Sequence, residues 1–565
     1  MRKINKKIQD NPRYKPDDLL FLPLGGCNEI GMNLNLYGFQ KKWLMVDCGI
    51  TFGDQLGIEI IMPDINFITK QLKDLIGLVV THAHEDHIGA IPYLWEKLLC
   101  PIYATPFTSR ILKAKLQEVG LLEKVPLFEI PLNGEIDLNP FKINFINLTH
   151  SIPEPNALAI RTEVGTVIHT GDWKLDPEPL IGETTDIQML KDFGREGVLA
   201  LVCDSTNVFV EGKTDSEASV RKHLIDLVKS QKEGRVVIAC FASNVARLTS
   251  CAIAAQEAGR VPVLVGRSMI RMEKAARELG YLKGIPPFVA EDDIQDLDRK
   301  KILLISTGSQ GEARSALARM SSNEHPRLKL SEGDTVIFSA RMIPGNEISV
   351  KGIQEQLIEM GTKVIHADEI EGIHVSGHPA REDLKDMYSW VQPKIVVPVH
   401  GEPSHLREHA KYAQSLGIEK VIVPYNGALI NLTSDEPTII GEVPHGQLTL
   451  DGNVVVPLFS LQMRERAKLM TTGVVFITIV VNADEQVYGQ PHITLLGIAE
   501  EGAEEETIQA IGKQIELAFE EMPKEYWHKE EMLSEMIRIS CRRTVNSLRG
   551  KKPLTTVHLI MNESI

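Results

Sequence analysis

The sequence predicts an α/β protein in which one catalytic domain is split by a second α/β unit and followed by a small α+β domain. Three observations lead there. Five apolar, strand-like runs end in Asp or His, at Asp47, His82, His150, Asp172 and Asp204. From about Asp215 the texture changes to strands that each end in a small polar or glycine cluster. After about residue 365 the first texture returns, with the compact motif His374-Val375-Ser376-Gly377-His378 and a strand running into His400. Strand ends on one edge of a sheet converge, and α/β proteins place their chemistry there.

Size and composition fit this plan. A chain of 565 residues exceeds one hydrophobic core and implies roughly three or four domains. Hydrophobic content of 43% and charged content of 24% are those of a soluble globular protein. No run of eighteen apolar residues occurs, so no membrane span is expected. The basic start Met1 to Lys7 has no apolar segment behind it and is not a secretory signal, so residues 1–17 are expected to be a disordered arm. Seven scattered cysteines without a CxxC pair read as small core residues in a reducing cytoplasm. The net charge of −15 argues against a general nucleic-acid binder. It does not argue against an enzyme, where bound divalent metals and a local basic groove supply the attraction.

Along the chain, Leu19 to Leu24 leads into the glycine turn Gly25 to Gly31, which lacks the spacing and the following helix of a dinucleotide site. Trp43 to Val46 is a buried strand ending at Asp47. Leu75 to Val80 then enters Thr81-His82-Ala83-His84-Glu85-Asp86-His87, followed by a helical pattern from Ile88 to Leu98. His82 and His84, two apart in extended chain, face the same way. Asp86 and His87 fall one turn later and can face a second ion. Strands over Phe141–Leu148, Gly165–Thr170 and Leu199–Cys203 end at His150, Asp172 and Asp204. The second unit carries strands over Arg235–Cys240, Val261–Val265, Lys301–Ile305 and Thr335–Phe338. Its strand-end clusters include Ala242-Ser243-Asn244, Gly266-Arg267-Ser268 and Thr307-Gly308-Ser309-Gln310. Free N–H groups and hydroxyls there suit phosphate, although ordinary strand-to-helix turns explain any one cluster as well. The last region has a strand over Val474–Val481, helical patterns at 503–522 and 527–548, and a strand over Thr555–Ile560. Its basic stretch, Arg542 to Lys552, reads as a solvated face before it reads as an RNA contact.

The pattern Thr-His-x-His-x-Asp-His, with strand ends at Asp47, His150, Asp172 and His400, resembles the metallo-β-lactamase superfamily. Asp204, the inserted unit and His374-x-Ser-Gly-His378 resemble its β-CASP nuclease branch. Gly25-Gly26 to Glu29-Ile30-Gly31, Phe241 to Asn244, Thr307 to Glu312, Pro344-Gly345-Asn346 and Pro398 to Glu402 are similar to the ribonuclease J family. The resemblance implies an αββα sandwich with an inserted β-CASP α/β domain and a small C-terminal α+β domain. The expected limits are 18–212 and 366–445 for the catalytic domain, 213–365 for the insert, 446–462 for a linker and 463–565 for the last domain.

The resemblance further implies two Zn2+ per chain, with Mn2+ or Mg2+ as alternatives. His82, His84 and His150 would hold one; Asp86, His87 and His400 the other; Asp172 would bridge. The residues support this independently, because N and O donors without a thiolate suit zinc. Asp47 is expected to orient a ligand imidazole. Asp204 and His378 would be the acid–base pair beside Asp86. Phosphate contacts would come from His374, Val375, Ser376, Gly377 and His378, and from Ala242, Ser243, Asn244, Arg267, Ser268 and Ser309 of the insert. The implied activity is 5′→3′ exoribonuclease on single-stranded RNA with a 5′-monophosphate, together with endonuclease action, in RNA maturation and mRNA decay. The implied setting is the cytoplasm, as a homodimer or homotetramer with partners in an RNA-decay complex. One departure from the family is Ala83, where glycine is usual; a methyl group there is tolerated if the backbone angle is ordinary. A small-molecule metallo-hydrolase is the main alternative, and the insert, Asp204 and the 374–378 motif speak against it. A non-catalytic RNA-binding paralogue is the other, and the complete ligand set speaks against that.

Overall fold

The computed structural model describes residues 14–53, 57–343, 345–367, 369–433, 437–482, 489–523, 526 and 529–562. Most of the expected arm (residues 1–13) and Pro344 of the Pro-Gly-Asn motif lie outside them. The described chain divides into two compact units. One comprises residues up to 51 and 60–446, the other 52–59 and 447 onward.

In the first unit two large sheets carry the site. The eight-stranded sheet runs, in spatial order, Thr438–Glu442, Ala428–Asn431, Leu20–Gly25, Leu34–Phe39, Lys42–Val46, Leu75–Val79, Ile102–Ala104 and Leu127–Glu129. The seven-stranded sheet runs Lys420–Val421, Ile395–Val399, Val198–Asp204, Gly165–His169, Asn156–Thr162, Phe141–Asn147 and Glu135–Leu138. Phe21, Tyr37, Val46 and Val79 of the first meet Phe145, Leu158, Val167, Ala200 and Val397 of the second in one core, so the sheets stack face to face. The far face of the second sheet packs Ile168, Leu201 and Cys203 against Leu190, Leu384, Met387 and Ala413 of the helices Ile187–Glu196, Arg381–Val391 and Pro403–Ser415. The helices Ile91–Leu98 and Pro106–Glu118 follow strands of the first sheet and bury Leu94, Trp95, Phe107 and Ile111. This is the expected αββα sandwich.

The parallel pairings place the site. Lys42–Val46 runs parallel to Leu75–Val79, and Gly165–His169, Val198–Asp204 and Ile395–Val399 run parallel to one another. The residues that follow those strands, Asp47, His82, Asp172 and His400, therefore emerge on shared edges, as does the terminal Asp204. After the His-rich loop the helical pattern is broken. A short helix, Glu85–Ile88, precedes Ile91–Leu98. Pro92 lies in the first turn of the second helix, where its missing N–H costs nothing.

Within the same unit the insert forms a five-stranded, all-parallel sheet in the order Val261–Val265, Ile302–Ser306, Val236–Ala239, Thr335–Phe338 and Lys363–His366. Val236 and Ile238 face one core while Val237 and Ala239 face the other, the two-residue period of a strand buried on both sides. The edge strand Lys363–His366 escaped the sequence reading. At four residues, Lys-Val-Ile-His, with only Ile365 buried, it is too short to mark a buried strand.

In the second unit, Val474–Asn482 pairs parallel with Leu554–Asn562 and antiparallel with His492–Leu496. Ile511, Ile515 and Phe519 of the helix Glu504–Glu521, and Leu533, Ile537, Cys541 and Val545 of Glu530–Arg549, cover it at four-residue spacing. Residues 446–462, expected as a linker, carry the hairpin Gln447–Asp451 with Val454–Pro457 and the start of the helix Leu461–Thr472. In the basic stretch, Arg549 binds Thr507 and Glu500, and Lys551 binds the carbonyls of Gly497 and Ile498. All seven cysteines are buried and unpaired. No described helix is long and apolar enough to cross a membrane.

Candidate metal centre

The His-rich loop is held by backbone contacts that few residues allow. Gly49 lies so close to it that a Cβ would fall 1.7 Å from the Asp86 carbonyl oxygen. Asp47 and His400 both take left-handed backbone angles, with φ of 62° and 54°. Such angles cost about 1 kcal/mol or more for a residue with a Cβ. Here Asp47 N donates to the Val79 carbonyl at 3.0 Å and His400 N to the Gly26 carbonyl at 2.7 Å. Ala83 is absent from the positive-φ residues and is buried, so its methyl group is accommodated.

Five imidazoles converge, each anchored by one ring nitrogen. His87 Nδ1 lies 2.7 Å from Asp47 Oδ2, as expected of Asp47. Thr81 Oγ1 donates to the same carboxylate at 2.9 Å, which leaves it an acceptor for His82 Nδ1 at 3.0 Å. His150 Nδ1 donates to the Gly377 carbonyl at 2.6 Å. His400 Nδ1 meets Asn33 Oδ1 at 3.1 Å. His84 Nε2 meets Ser243 Oγ at 3.0 Å. With these partners the inward nitrogens of His82, His87, His150 and His400 carry lone pairs. His82 Nε2 and His150 Nε2 each lie 3.0 Å from His84 Nδ1, which has at most one proton to share between them.

Asp172 joins the groups. Its Oδ2 lies 3.2 Å from His87 Nε2, 3.4 Å from His400 Nε2 and 3.8 Å from His82 Nε2, and its buried Oδ1 has no hydrogen-bond partner among the described residues. Asp86 Oδ2 lies 3.4 Å from His87 Nε2 and 3.6 Å from His400 Nε2. The donors gather as His82, His84, His150 and Asp172, as Asp86, His87, Asp172 and His400, and as Asp172, Asp204, His378 and His400. Inward lone pairs, an orphaned buried carboxylate oxygen and an all-N/O donor set fit cations at the first two groups.

The electrostatics agree. Burial, reinforced by neighbouring imidazoles, pushes His82 and His150 well below the usual range. Burial likewise brings His84 down to about 4. These rings are neutral, as ligands must be. At His87 burial is overcome by Asp172, Asp86 and Asp47, which hold it well above the usual range. The second group thus demands positive charge, which a proton or a metal ion can meet.

Beside it, His378 Nδ1 lies 2.7 Å from Asp204 Oδ2. Asp204 is fully buried, and its Oδ1 accepts from Thr206 N and Oγ1, both at 2.8 Å. Burial alone would lower the His378 pKa; Asp204, with Asp172 and Asp86, outweighs it and raises it to about 9. Asn207 Nδ2 and Thr214 Oγ1 pin the His378 carbonyl at 3.1 and 3.0 Å.

The remaining expected residues fall out unevenly. Gly377 packs against His150, where a Cβ would lie 2.7 Å from the ring. Ser376 Oγ accepts from His378 N. Val375 is buried in the insert core, with Ala242 packed against it. His374 is half-buried, and its pKa is lowered to about 3 by desolvation and Arg247. Ser243 reaches the histidine cluster, at His84 Nε2. Asn244 instead caps the helix Val245–Glu257 and donates to Glu217 Oε1 at 3.0 Å, because a strand-to-helix turn needs its first N–H groups satisfied. Ser309 is buried, while Arg267 and Ser268 are exposed at the start of the helix Arg267–Glu278.

Sequence reasoning missed Asn33, whose amide also donates to the Asp86 carbonyl at 3.1 Å. A buried amide between Met32 and Leu34 was the available signal. It also missed the buried pair Glu217–Arg247, 2.9 Å apart. There the signal was an arginine on the apolar face formed by Val245, Leu248, Cys251 and Ala252.

Four stretches of the chain match known protein families. Residues 42–190 match a beta-lactamase superfamily domain and residues 233–357 the ribonuclease J beta-CASP domain. Residues 364–424 match a Zn-dependent metallo-hydrolase RNA specificity domain, and residues 461–562 the ribonuclease J C-terminal domain. The chain is 42% identical over 550 residues to a ribonuclease J of Sinorhizobium meliloti, covering 96% of this chain and 97% of that one. It is 35% identical over 563 residues to a ribonuclease J of Mycolicibacterium smegmatis, covering 98% and 99%. A crystal structure of a protein of unknown function from Enterococcus faecalis V583 shares the fold, with a TM-score of 0.51 and 18% identity, over 73% of this chain and 99% of that one.

Proposed function

This chain belongs to the ribonuclease J family and is a hydrolytic ribonuclease, and on that premise we propose that it is a two-zinc 5′→3′ exoribonuclease, with endonuclease activity, that prefers single-stranded RNA bearing a 5′-monophosphate. The observation that carries the reading is Asp172, whose carboxylate belongs to both candidate ion sites and to the group containing Asp204 and His378. His82, His84 and His150 would hold one ion and Asp86, His87 and His400 the other. Two such ions would supply Lewis acidity toward a phosphate oxygen and hydroxide at neutral pH.

The chain's own residues do the rest. Asp204 keeps a proton on His378, and His378 delivers it from Nε2 to the departing 3′-oxygen as the P–O3′ bond breaks. Asn207 and Thr214, through the His378 carbonyl, hold that ring in place. The 5′-phosphate pocket is proposed between the 374–378 loop and the exposed turn of Arg267 and Ser268, since a guanidinium binds phosphate in bidentate fashion. Residues 18–212 and 366–445 would form the metal-binding domain, 213–365 the RNA-gripping insert and 463–565 an assembly domain for a homodimer or homotetramer. A cytoplasmic setting within an RNA-decay complex completes the reading, in RNA maturation and mRNA decay.

The test compares rates on 5′-monophosphate, 5′-hydroxyl and 5′-triphosphate RNA, with and without chelator. The reading expects fastest release of mononucleotides from 5′-monophosphate RNA and none under chelation. In Arg267→Ala the preference for a 5′-monophosphate should fall; unchanged discrimination would sink the pocket.

A further inference from the structure

We propose that Ser243, a residue of the insert, is a positioning residue for the metal centre: its hydroxyl accepts the outer proton of His84 and so fixes the ring whose Nδ1 enters the first ion site. The inference rests on the two-zinc reading above and deepens it. Ser243 was expected to bind phosphate; its observed partner is His84 Nε2 at 3.0 Å, 159 positions away in the chain.

The other four inward imidazoles are anchored by Thr81, Asp47, Asn33 and the Gly377 carbonyl, none of which lies in the insert. His84 is anchored from the insert. An imidazole that binds a cation through Nδ1 carries its proton on Nε2, so the contact in the loaded site is an N–H donating to Ser243 Oγ. Such outer partners fix ring orientation and typically change metal affinity about 10–100-fold when removed.

Ser243 is built to be rigid. Val245 N donates to its carbonyl at 2.9 Å and Asn244 N to the Phe241 carbonyl at 3.1 Å. Asn244 is tied to Glu217, and Glu217 to Arg247, whose Nη1 reaches the Ser339 carbonyl at 2.6 Å. The insert is in turn fastened to the catalytic domain close by. Tyr281 Oη donates to Glu154 Oε1 at 2.6 Å, while Glu154 Oε2 accepts from Phe107 N at 2.7 Å. Ion pairs Arg110–Glu278 and Arg271–Glu118 join the helices Pro106–Glu118 and Arg267–Glu278. The domain proposed to grip RNA thereby finishes the metal centre, and retention of the first ion depends on its docking.

The readout is the rate at which zinc passes from the loaded full-length chain to a chromophoric chelator, recorded without RNA. Ser243→Ala and Ser243→Val should release one zinc about 10–100-fold faster. Ser243→Thr, isosteric with the valine variant but retaining the hydroxyl, should release it near the wild-type rate. The ratio of rates on 5′-monophosphate and 5′-hydroxyl RNA should be the same in all variants that are loaded with zinc. Zinc release in Ser243→Val equal to that in Ser243→Thr overturns the proposal. If the 5′-end preference collapses at the same time, the serine is a phosphate contact instead. A wild-type chain that holds no zinc would overturn the two-ion reading itself, which is a different failure.

Discussion

His378 combines three measurable properties: a buried carboxylate partner, a pKa raised to about 9 and a ring only partly covered. A proton donor of this kind works while it is protonated. Turnover should therefore hold below about pH 9 and fall as pH rises through that value. Asp204→Asn removes the main charge that raises the pKa, so the alkaline limb of the kcat profile should move to lower pH. An unmoved limb would separate Asp204 from the titration. His378→Ala should cut kcat about 10²–10⁴-fold, the usual worth of a general acid, with zinc content unchanged. Lost zinc would make His378 a ligand. At this scale the sequence exposed every clustered donor, because His and Asp at strand ends are rare enough to notice. It hid Asn33 and gave Ser243 to phosphate instead of to His84, because an amide or a hydroxyl is informative only once its neighbours are known.

Elements explain why those donors meet. Parallel strands bring Asp47 beside His82, and Asp204 beside His400, and the left-handed residues at Asp47 and His400 turn the chain toward the site. The most exacting element contact is the buried Glu217–Arg247 pair, which ties two helices to Ser339 and to the Ile373 carbonyl just before the 374–378 loop. Burial alone would raise the Glu217 pKa, but Arg247, Lys174 and Asn244 outweigh it and lower it. The pair's stabilisation is accordingly present above the unfolded carboxylate pKa and is lost as pH falls through the lower folded value. Arg247→Ala strands the carboxylate and should cost about 3–5 kcal/mol in denaturant unfolding at neutral pH. The cost should shrink at acid pH, where Glu217 can protonate; a cost that does not vary with pH would point to lost packing alone. The strands that lead into the site and the two C-terminal helices were legible from period and punctuation, but the buried strand Asn156–Thr162 was not singled out. The hairpin at 447–457 and the edge strand Lys363–His366 were not, because short half-exposed strands carry little periodic signal.

At the scale of the molecule, the catalytic domain is interrupted by the insert, and the second candidate ion site draws on residues from both sides of it. The return of histidine-ended strands after residue 365 made this split readable. The docking of the insert was not readable, since it depends on Glu154, Tyr281 and surface ion pairs scattered along the chain. Asp172 and His400 are where the split is mended, with His400 Nε2 3.4 Å from Asp172 and 3.6 Å from Asp86. The most direct test is zinc stoichiometry, measured together with cleavage of 5′-monophosphate RNA, in the wild-type chain and in His400→Ala. The account predicts two zinc ions per chain and cleavage in the wild type, against a single retained ion and no cleavage in His400→Ala. A His400→Ala chain that keeps both ions and cuts RNA at the wild-type rate would contradict it.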